Sequence, residues 1–434
     1  MNKMVFFSVT VFLIAFTVSA VSAQGVANPS ILLKGGLVID PANNINSRID
    51  ILIKDGKIAS VAKNIPISEA KKVVDVSGYY VTPGFVDIHA HVFYTQESPR
   101  GVIARDYCFP YGVTTIVDAG SSGAETFLDF KKIIDNSLPR ILAFLNISKK
   151  GMTSREYEND PYLFDVKLAA ETAKKHPDII VGFKTAHYDS WHYDGVRKPF
   201  TSPDSAMAAG DLADLPVMLD FHPAPAGRGY PERSLHDIIL KKMRPGDIYT
   251  HVFYWGFPTV IDGKVNSDLF KAQKRGVYFD IGHGQQSFMW RNAVPAIKQG
   301  FWPNSISTDV HGGNTCGAML NMTNIMSKFV CMGIPLEEVI RCSTINPARE
   351  IKRSDLGHLS AGAVADIAVF KLQKGDFGYT DARNAGFKGN SNIKNFMTLF
   401  GGQIVFDPYG LSATNWEDIP KDDIYWEITS GILY

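Results

Sequence analysis

Two histidines, His89 and His91, follow an apolar run that starts after Pro83. Side chains alternate along a β-strand, so residues two apart project to the same side. Imidazole is a common ligand of zinc and related divalent ions. A His-Ala-His pair at a strand end can therefore hold a metal ion, although alone it could equally be a pair of hydrogen-bonded polar residues.

Further polar side chains that could belong to a metal site stand where later apolar runs end: Lys184, His222, His251 and Asp309. A lone histidine on an apolar strand is more often structural than a ligand. Together with the first pair, these residues give four histidines, a lysine and an aspartate at corresponding positions. That combination favours a metal centre.

Such a set of side chains suits hydrolysis. Two divalent ions about 3.5–4 Å apart can share one bridging hydroxide, and one of them can polarise a carbonyl oxygen. Carboxylates supply hard oxygen ligands, and an aspartate beside the attacking water can take its proton and return it to the leaving group. We expect Asp309 to be this general acid/base.

Lys184 is unusual in this set because an ammonium group would repel metal ions. A buried lysine shifts its pKa readily, and a neutral amine can add carbon dioxide to form an anionic carbamate. That carbamate could bridge two ions. A surface or salt-bridged lysine is the alternative, which the apolar strand around Lys184 disfavours.

The elements that position these residues alternate between apolar runs and polar helix-forming stretches from 83 to 350. This pattern predicts a parallel sheet with crossover helices, and eight such units make an α/β (β/α)8 barrel. Active sites of this fold lie at the carboxyl ends of the strands. The eight predicted strands are 85–89, 114–119, 141–147, 179–185, 217–222, 248–253, 277–282 and 305–310.

The flanking segments, 24–82 and 351–434, have β character instead. Asp55 and Gly56 separate two short apolar runs, which is a strong hairpin signal. Strands also recur at 362–371 and 404–406, so we expect both termini to build one small β-sandwich beside the barrel. The segment from about 375 onward is the least predictable part.

Residues 1–23 are typical of a signal peptide. Lys3 precedes an apolar run, and the small residues Val21, Ser22 and Ala23 offer a cleavage site. We therefore expect export to the periplasm or medium, without a membrane anchor. The four cysteines, Cys108, Cys316, Cys331 and Cys342, lack the spacing of a zinc site, and either free thiols or a disulfide remain open.

Charge excludes one class of partner. The chain has 434 residues, with 44 Lys and Arg against 44 Asp and Glu, and no basic block. Nucleic acid is therefore not an expected partner. The apolar content of 45% and charged content of 20% are those of a globular protein with a large core.

With these motifs the mature chain resembles the amidohydrolase superfamily, in its binuclear subtype with a carboxylated lysine, and within it the dihydroorotase-like deacetylases. The resemblance implies that His89, His91 and Asp309 hold the first metal and that His222 and His251 hold the second. Lys184 would bridge the two as its carbamate. Zinc is the default metal, and a homo-oligomer is a fair expectation.

The resemblance implies hydrolysis of an amide or ester of a small acylated acid, as in a deacetylase. A cyclic amidase of the dihydroorotase type is the alternative, and a mononuclear deaminase or a non-catalytic metal-binding homologue is less favoured. Many relatives carry an arginine close behind the lysine, whereas this chain has Thr185, Ala186 and His187, so the anchor for a substrate anion is undetermined.

Several further residues are candidates for substrate contact. His187 and His283 could touch the substrate or polarise its carbonyl, and each could equally be a hydrogen-bonding residue behind the site. His311 could line the mouth or serve a turn. Other candidates lie in loops without a committing motif: Arg105, Arg197 and Arg228, and the aromatic cluster Trp191, His192 and Tyr193.

Overall fold

A computed structural model describes residues 29–95, 100–154, 156–188, 198–220, 234, 236–254, 256 and 259–419. The predicted signal peptide, His222, Arg197, Arg228 and the aromatic cluster at 191–193 lie outside these residues. No helix in the described part of the chain is both long and apolar enough to cross a lipid bilayer.

The strands are numbered β1 to β19 along the chain. They are Ile31–Lys34, Leu37–Asp40, Ile45–Arg48, Asp50–Lys54, Lys57–Ala62, Lys72–Asp75, Tyr80–Pro83, Phe85–Ala90, Val113–Gly123, Arg140–Asn146, Ile180–Ala186, Val217–Asp220, Ile248–Tyr249, Val260–Ile261, Lys264–Val265, Tyr278–Phe279, Ile367–Thr380, Gly386–Phe400 and Gln403–Phe406.

The helices are numbered α1 to α9. They are Ala104–Cys108, Phe127–Asp135, Val166–Lys175, Thr201–Ala213, Ser267–Arg275, Trp290–Lys298, Met322–Cys331, Leu336–Arg341 and Ile345–Glu350. α3 shows why such segments are helical. The Asp165 carboxylate accepts a hydrogen bond from the Leu168 amide at its start, and Lys174 and Lys175 lie near the negative end of the helix dipole.

The barrel is built from a curled parallel sheet in the order β16-β13-β12-β11-β10-β9-β8. The predicted eighth strand forms only two isolated parallel bridges, one from Ser305 to Asp280 beyond β16 and one from Val310 to Ala90 in β8. These bridges close the sheet between its two edges. The predicted (β/α)8 architecture is confirmed, with its last strand reduced to an irregular segment.

The terminal segments form two sheets, ordered β5-β4-β1-β6 and β19-β18-β17-β7-β2-β3. In the second sheet β17 pairs with β7, so strands from both ends of the chain lie side by side. Residues of both sheets share one apolar core that includes Ile51, Val81 and Met397. The predicted hairpin at Asp55 and Gly56 joins β4 to β5, and both turn residues have positive φ.

The long hairpin of β17 and β18 reaches past this sandwich onto the barrel. Tyr379 and Ile393 belong to the barrel core, and the Ile393 amide donates to Ser327 Oγ of α7 at 2.8 Å. The C-terminal segment therefore also supports the barrel, which the sequence did not indicate. All four cysteines are free thiols.

Candidate active site

The carboxyl ends of the barrel strands bring five of the sequence-predicted residues together. His89 is the penultimate residue of β8, Lys184 lies in β11, and His251 follows β13. Asp309 comes from the segment that closes the barrel, and its Oδ1 lies 3.1 Å from His91 Nε2 and 3.6 Å from His89 Nε2. The sixth residue, His222, lies outside the described residues.

In each of these three histidines another group holds the Nδ1 atom, which leaves Nε2 to face the centre of the site. His89 Nδ1 lies 2.8 Å from Thr250 Oγ1, and His91 Nδ1 lies 2.8 Å from Ser121 Oγ. His251 Nδ1 donates to the Gly282 carbonyl at 2.6 Å. These contacts aim the Nε2 atoms at the centre, as metal-binding histidines require.

Asp280 lies behind His89 and binds the hydroxyl groups of Thr250 and Ser307. Its carboxylate accepts from Thr250 Oγ1 at 2.7 Å and from Ser307 Oγ at 2.8 Å. The Thr250 hydroxyl therefore donates to Asp280 and accepts a hydrogen bond from His89 Nδ1. Burial, reinforced by the nearby Lys184 charge, lowers the pKa of His89 to about 4, so its ring is neutral near pH 7.

Asp309 is an ionised carboxylate on the floor of the site. Burial alone would raise the pKa of its carboxyl, but His89, His91 and His251 outweigh that effect and hold the pKa below its usual range. Its backbone has a φ of 50°, and its carbonyl accepts from Asn314 Nδ2 at 2.6 Å. The carboxylate is thus ionised and held in one place.

Lys184 is fully buried, and its Nζ lies 3.4 Å from His89 Nε2. Gly120 packs against its stem: a Cβ on this glycine would lie 2.6 Å from Lys184 Cβ. The lysine is therefore fixed beside His89 and is not a surface residue, whereas the salt-bridged alternative stays open, because Nζ also lies 3.8 Å from Asp220 Oδ2.

The sequence reasoning missed Asp220, the last residue of β12. Its Oδ2 lies 3.2 Å from His251 Nε2 and 3.8 Å from Lys184 Nζ. Burial would raise the pKa of this carboxyl, but the charges of His251 and Lys184 hold it well below its usual range. The available signal was the spacing Asp220-Phe221-His222, which places an acid two residues before the expected ligand.

The donor set fits divalent metal ions. Ligand atoms of His89, His91 and Asp309 lie within 4.8 Å of one another, and all three residues are buried or nearly so. Neutral imidazoles and ionised carboxylates are the donors that zinc and similar ions take.

A cavity of about 590 Å³, including its open mouth, lies above the ligand set. Its floor includes His91, Asp220, His251 and Asp309, and its other lining residues are Phe93, Arg100, Gly101, Ser121, Met152, His187 and His311. An open cleft whose polar groups converge on the ligand set suits a small molecule.

His187 is one of the residues on the wall of this cavity. Its Nδ1 lies 2.8 Å from Glu158 Oε2, and its carbonyl accepts from Asn159 Nδ2 at 2.9 Å. Glu158 is buried and also accepts from Asn146 Nδ2 at 3.0 Å. The ring is therefore oriented by a carboxylate from a loop that the sequence did not connect with the site.

His283 is placed differently from the expected substrate contact. The residue is fully buried and does not line the cavity; its ring stacks on Phe288 with centroids 4.6 Å apart. Its Nε2 lies 2.8 Å from Lys328 Nζ, which also donates to the carbonyls of Ala318 and Thr380. Burial and the Lys328 charge hold the pKa of His283 well below its usual value. In this arrangement His283 acts as support behind the site.

Comparisons with known proteins agree with this geometry. The Amidohydrolase family profile matches residues 289–405. The chain is 33% identical over 374 residues to a deacetylase of Brucella anthropi, covering 81% of this chain and 84% of the relative. It is also 33% identical over 377 residues to a deacetylase of Agrobacterium fabrum, covering 82% and 84%.

Solved structures also resemble this chain. A crystal structure of an adenine deaminase has a TM-score of 0.78, and one of a dihydroorotase has a TM-score of 0.73. Each is 28% identical, and each match covers 87% of this chain and 99% of the other. The chain therefore belongs to the amidohydrolase superfamily of metal-dependent hydrolases.

Proposed function

We propose that this protein is an exported, binuclear hydrolase that removes an acyl group, such as acetyl, from a small amide or ester bearing a free carboxylate. The observation that carries the proposal is the convergence of five side chains at the base of one cavity: His89, His91, Lys184, His251 and Asp309, of which His91, His251 and Asp309 line it. The two deacetylases that share 33% identity with the chain support the acyl-transfer chemistry.

Divalent ions held by these residues, with Lys184 as its carbamate, would lower the pKa of a water molecule and polarise the scissile carbonyl. The chain's own groups supply the rest. Asp309 Oδ takes the proton of the attacking water and delivers it to the leaving nitrogen or oxygen. The hydrogen bonds of Thr250 and Ser121 keep the imidazoles in the orientation that leaves Nε2 facing the reacting groups.

The proposal that the substrate carries a carboxylate rests on Arg100. This residue lines the cavity and is exposed, and its side chain has no hydrogen bond or ion pair with any residue that the structure describes. Its backbone carbonyl accepts from the Gly312 amide, which ties it to the loop after Asp309. A guanidinium that no described residue pairs with, beside the ligand set, suits a carboxylate, which it can bind with two parallel hydrogen bonds.

A cyclic amidase is the second candidate, because the dihydroorotase structure matches the chain over 87% of its length. The two candidates share the attacking water and differ in the leaving group. An open-chain acyl substrate releases two products, whereas a cyclic amide opens into one.

Asp309→Asn tests the proposal. With metal-loaded protein and a panel of N-acetyl and O-acetyl acids and cyclic amides, we expect turnover of at least one acyl acid by the wild type. The variant keeps an oxygen ligand but loses the proton acceptor, so kcat falls roughly 10²–10⁴-fold while metal content changes little. Failure of the metal-loaded wild type to turn over any member of the panel would contradict the proposed reaction.

The proposal that the protein is exported rests on residues 1–23 alone. Lys3, the apolar run after it and the small residues ending at Ala23 are the supporting features. N-terminal sequencing of the protein from its native host tests this part: a chain that starts at Gln24 is expected, and an intact Met1 would contradict it.

A further inference from the structure

Lys328 of α7 is fully buried, and its ammonium group meets acceptors from three separate segments of the chain. It donates to the Ala318 carbonyl at 2.6 Å and to the Thr380 carbonyl at 2.8 Å, and its Nζ lies 2.8 Å from His283 Nε2. An ammonium group has three donors, so these contacts use its whole capacity. Because lysine is almost never fully buried unless it is paired, one side chain holds three segments in a single arrangement.

The ring of His283 carries this constraint into the loop after β16. Its Nδ1 lies 3.0 Å from the Gly284 carbonyl, which can only accept, so Nδ1 donates there and Nε2 accepts from Lys328. The ring is also fully buried and stacks on Phe288. With both nitrogens and one face in contact, the ring fixes the backbone at residues 283 and 284.

This loop touches two side chains of the candidate metal site. The Gly282 carbonyl accepts from His251 Nδ1 at 2.6 Å and thereby orients that imidazole. Gly284 lies against the Asp309 carboxylate so closely that a Cβ at this position would overlap Oδ2. A displacement of the loop would therefore move His251 and Asp309 together.

The other two acceptors connect the same lysine to further parts of the site. Ala318 belongs to the segment after Asp309, in which Asn314 Nδ2 donates to the Asp309 carbonyl at 2.6 Å. Thr380 is the last residue of β17, so the C-terminal hairpin meets the barrel at this point. Lys328 thus reaches Asp309 from two sides.

We propose that Lys328 is a positioning residue of the active site, which acts through His283 to hold the loop 282–284 and with it the orientation of His251 and Asp309. The effect on catalysis rests on the proposed function, whereas the effect on metal binding can be measured without it. A lysine that only stabilised the fold would lower the free energy of unfolding and leave the metal ligands as they are.

Lys328→Met tests the role, because methionine fills a similar volume without a donor. Ser327→Ala is the matched control: Ser327 precedes Lys328 in α7, and its buried Oγ accepts from the Ile393 amide of the same hairpin at 2.8 Å. We expect Lys328→Met to change the visible absorption of the cobalt-loaded protein and to raise the zinc dissociation constant about 10-fold, as partners behind metal ligands do. Ser327→Ala should change neither.

Variants of His283 test the route of the effect. His283→Gln keeps an acceptor for Lys328 and should stay near the wild type, whereas His283→Phe removes the acceptor and should resemble Lys328→Met. The double variant of His283→Phe with Lys328→Met should be no weaker than either single variant, because both remove the same contact. These variants also decide the question if Lys328→Met alone does not fold.

A folded Lys328→Met protein with the zinc affinity and cobalt spectrum of the wild type would overturn the proposal, as would an equal change in Ser327→Ala. Additive losses in the double variant would contradict the route through His283. If the metal-loaded wild type hydrolyses no acyl acid or cyclic amide, the proposed reaction fails while these metal-binding results still decide the role of Lys328. A wild type that binds neither cobalt nor zinc would contradict both proposals.

Discussion

Gly284 lies directly against the Asp309 carboxylate, and a Cβ at this position would overlap Asp309 Oδ2. Its φ of 48° falls in the left-handed region that favours glycine, and its amide donates to the Thr308 carbonyl at 2.9 Å. The loop after β16 therefore forms the wall against which the Asp309 carboxylate rests.

Gly284→Ala should displace Asp309 and lower kcat by about 100-fold, the effect expected of a shift of roughly 1 Å at a reacting group. Steady-state kinetics and metal content measure the effect. Gly263→Ala is the matched control, because Gly263 has a φ of 76° but no heavy atom within 4 Å of its Cβ position. An equal loss in both variants would assign the effect to backbone strain rather than to Asp309.

Arg100→Met should weaken binding of substrates that carry a carboxylate. Removing a charged hydrogen-bonding partner costs about 1.5–3 kcal/mol, so KM is expected to rise about 10–100-fold. Neutral esters of the same acids should be hydrolysed as before. Arg105→Met is the control, since Arg105 is exposed and lies 3.7 Å from Asp106. An unchanged KM for the acids would remove Arg100 as their anchor.

Lys328 should make the stability of the fold depend on pH. Burial lowers the pKa of its amine to about 7, whereas the unfolded chain has a lysine pKa of about 10.4. Between these values the unfolded state binds more protons, so this residue's contribution to the unfolding free energy rises with pH from about 7 to 10. Below pH 7 both states are protonated and the contribution is constant.

Lys328→Met removes that dependence and leaves the acceptors His283 Nε2, Ala318 O and Thr380 O without their donor. Denaturant unfolding at pH 7 and pH 9 should show the variant less stable than the wild type, with the larger difference at pH 9. Lys352→Met, at an exposed lysine bonded to Asp214, serves as the control. A difference that does not grow with pH would contradict the lowered pKa.

The sequence predicts those features that depend on local pattern. Period-two spacing places His89 and His91 on one side of β8, and Asp55 with Gly56 defines a hairpin, because both signals act within a few residues. β18 was missed because glycine, lysine and asparagine interrupt it, and it is held instead by pairing with β17 and by α7.

Site residues that depend on tertiary contacts escaped the sequence reasoning. Arg100 lines the cavity and Glu158 holds His187 Nδ1 from a buried position, and no spacing in the chain links either of them to His187. Asp220 escapes prediction because the histidine two residues later fits the expected ligand type. The sequence leaves two roles open for His283, and only the tertiary contacts with Phe288 and Lys328 show that its ring lies behind the site.

Elemental analysis of protein grown with zinc and bicarbonate tests most directly whether Lys184 bridges a binuclear metal centre. Wild type and Lys184→Ala are compared side by side, with circular dichroism to verify that the variant folds. We expect two ions per chain in the wild type and one or fewer in the variant. One ion or none in the wild type, unchanged in Lys184→Ala, would contradict it.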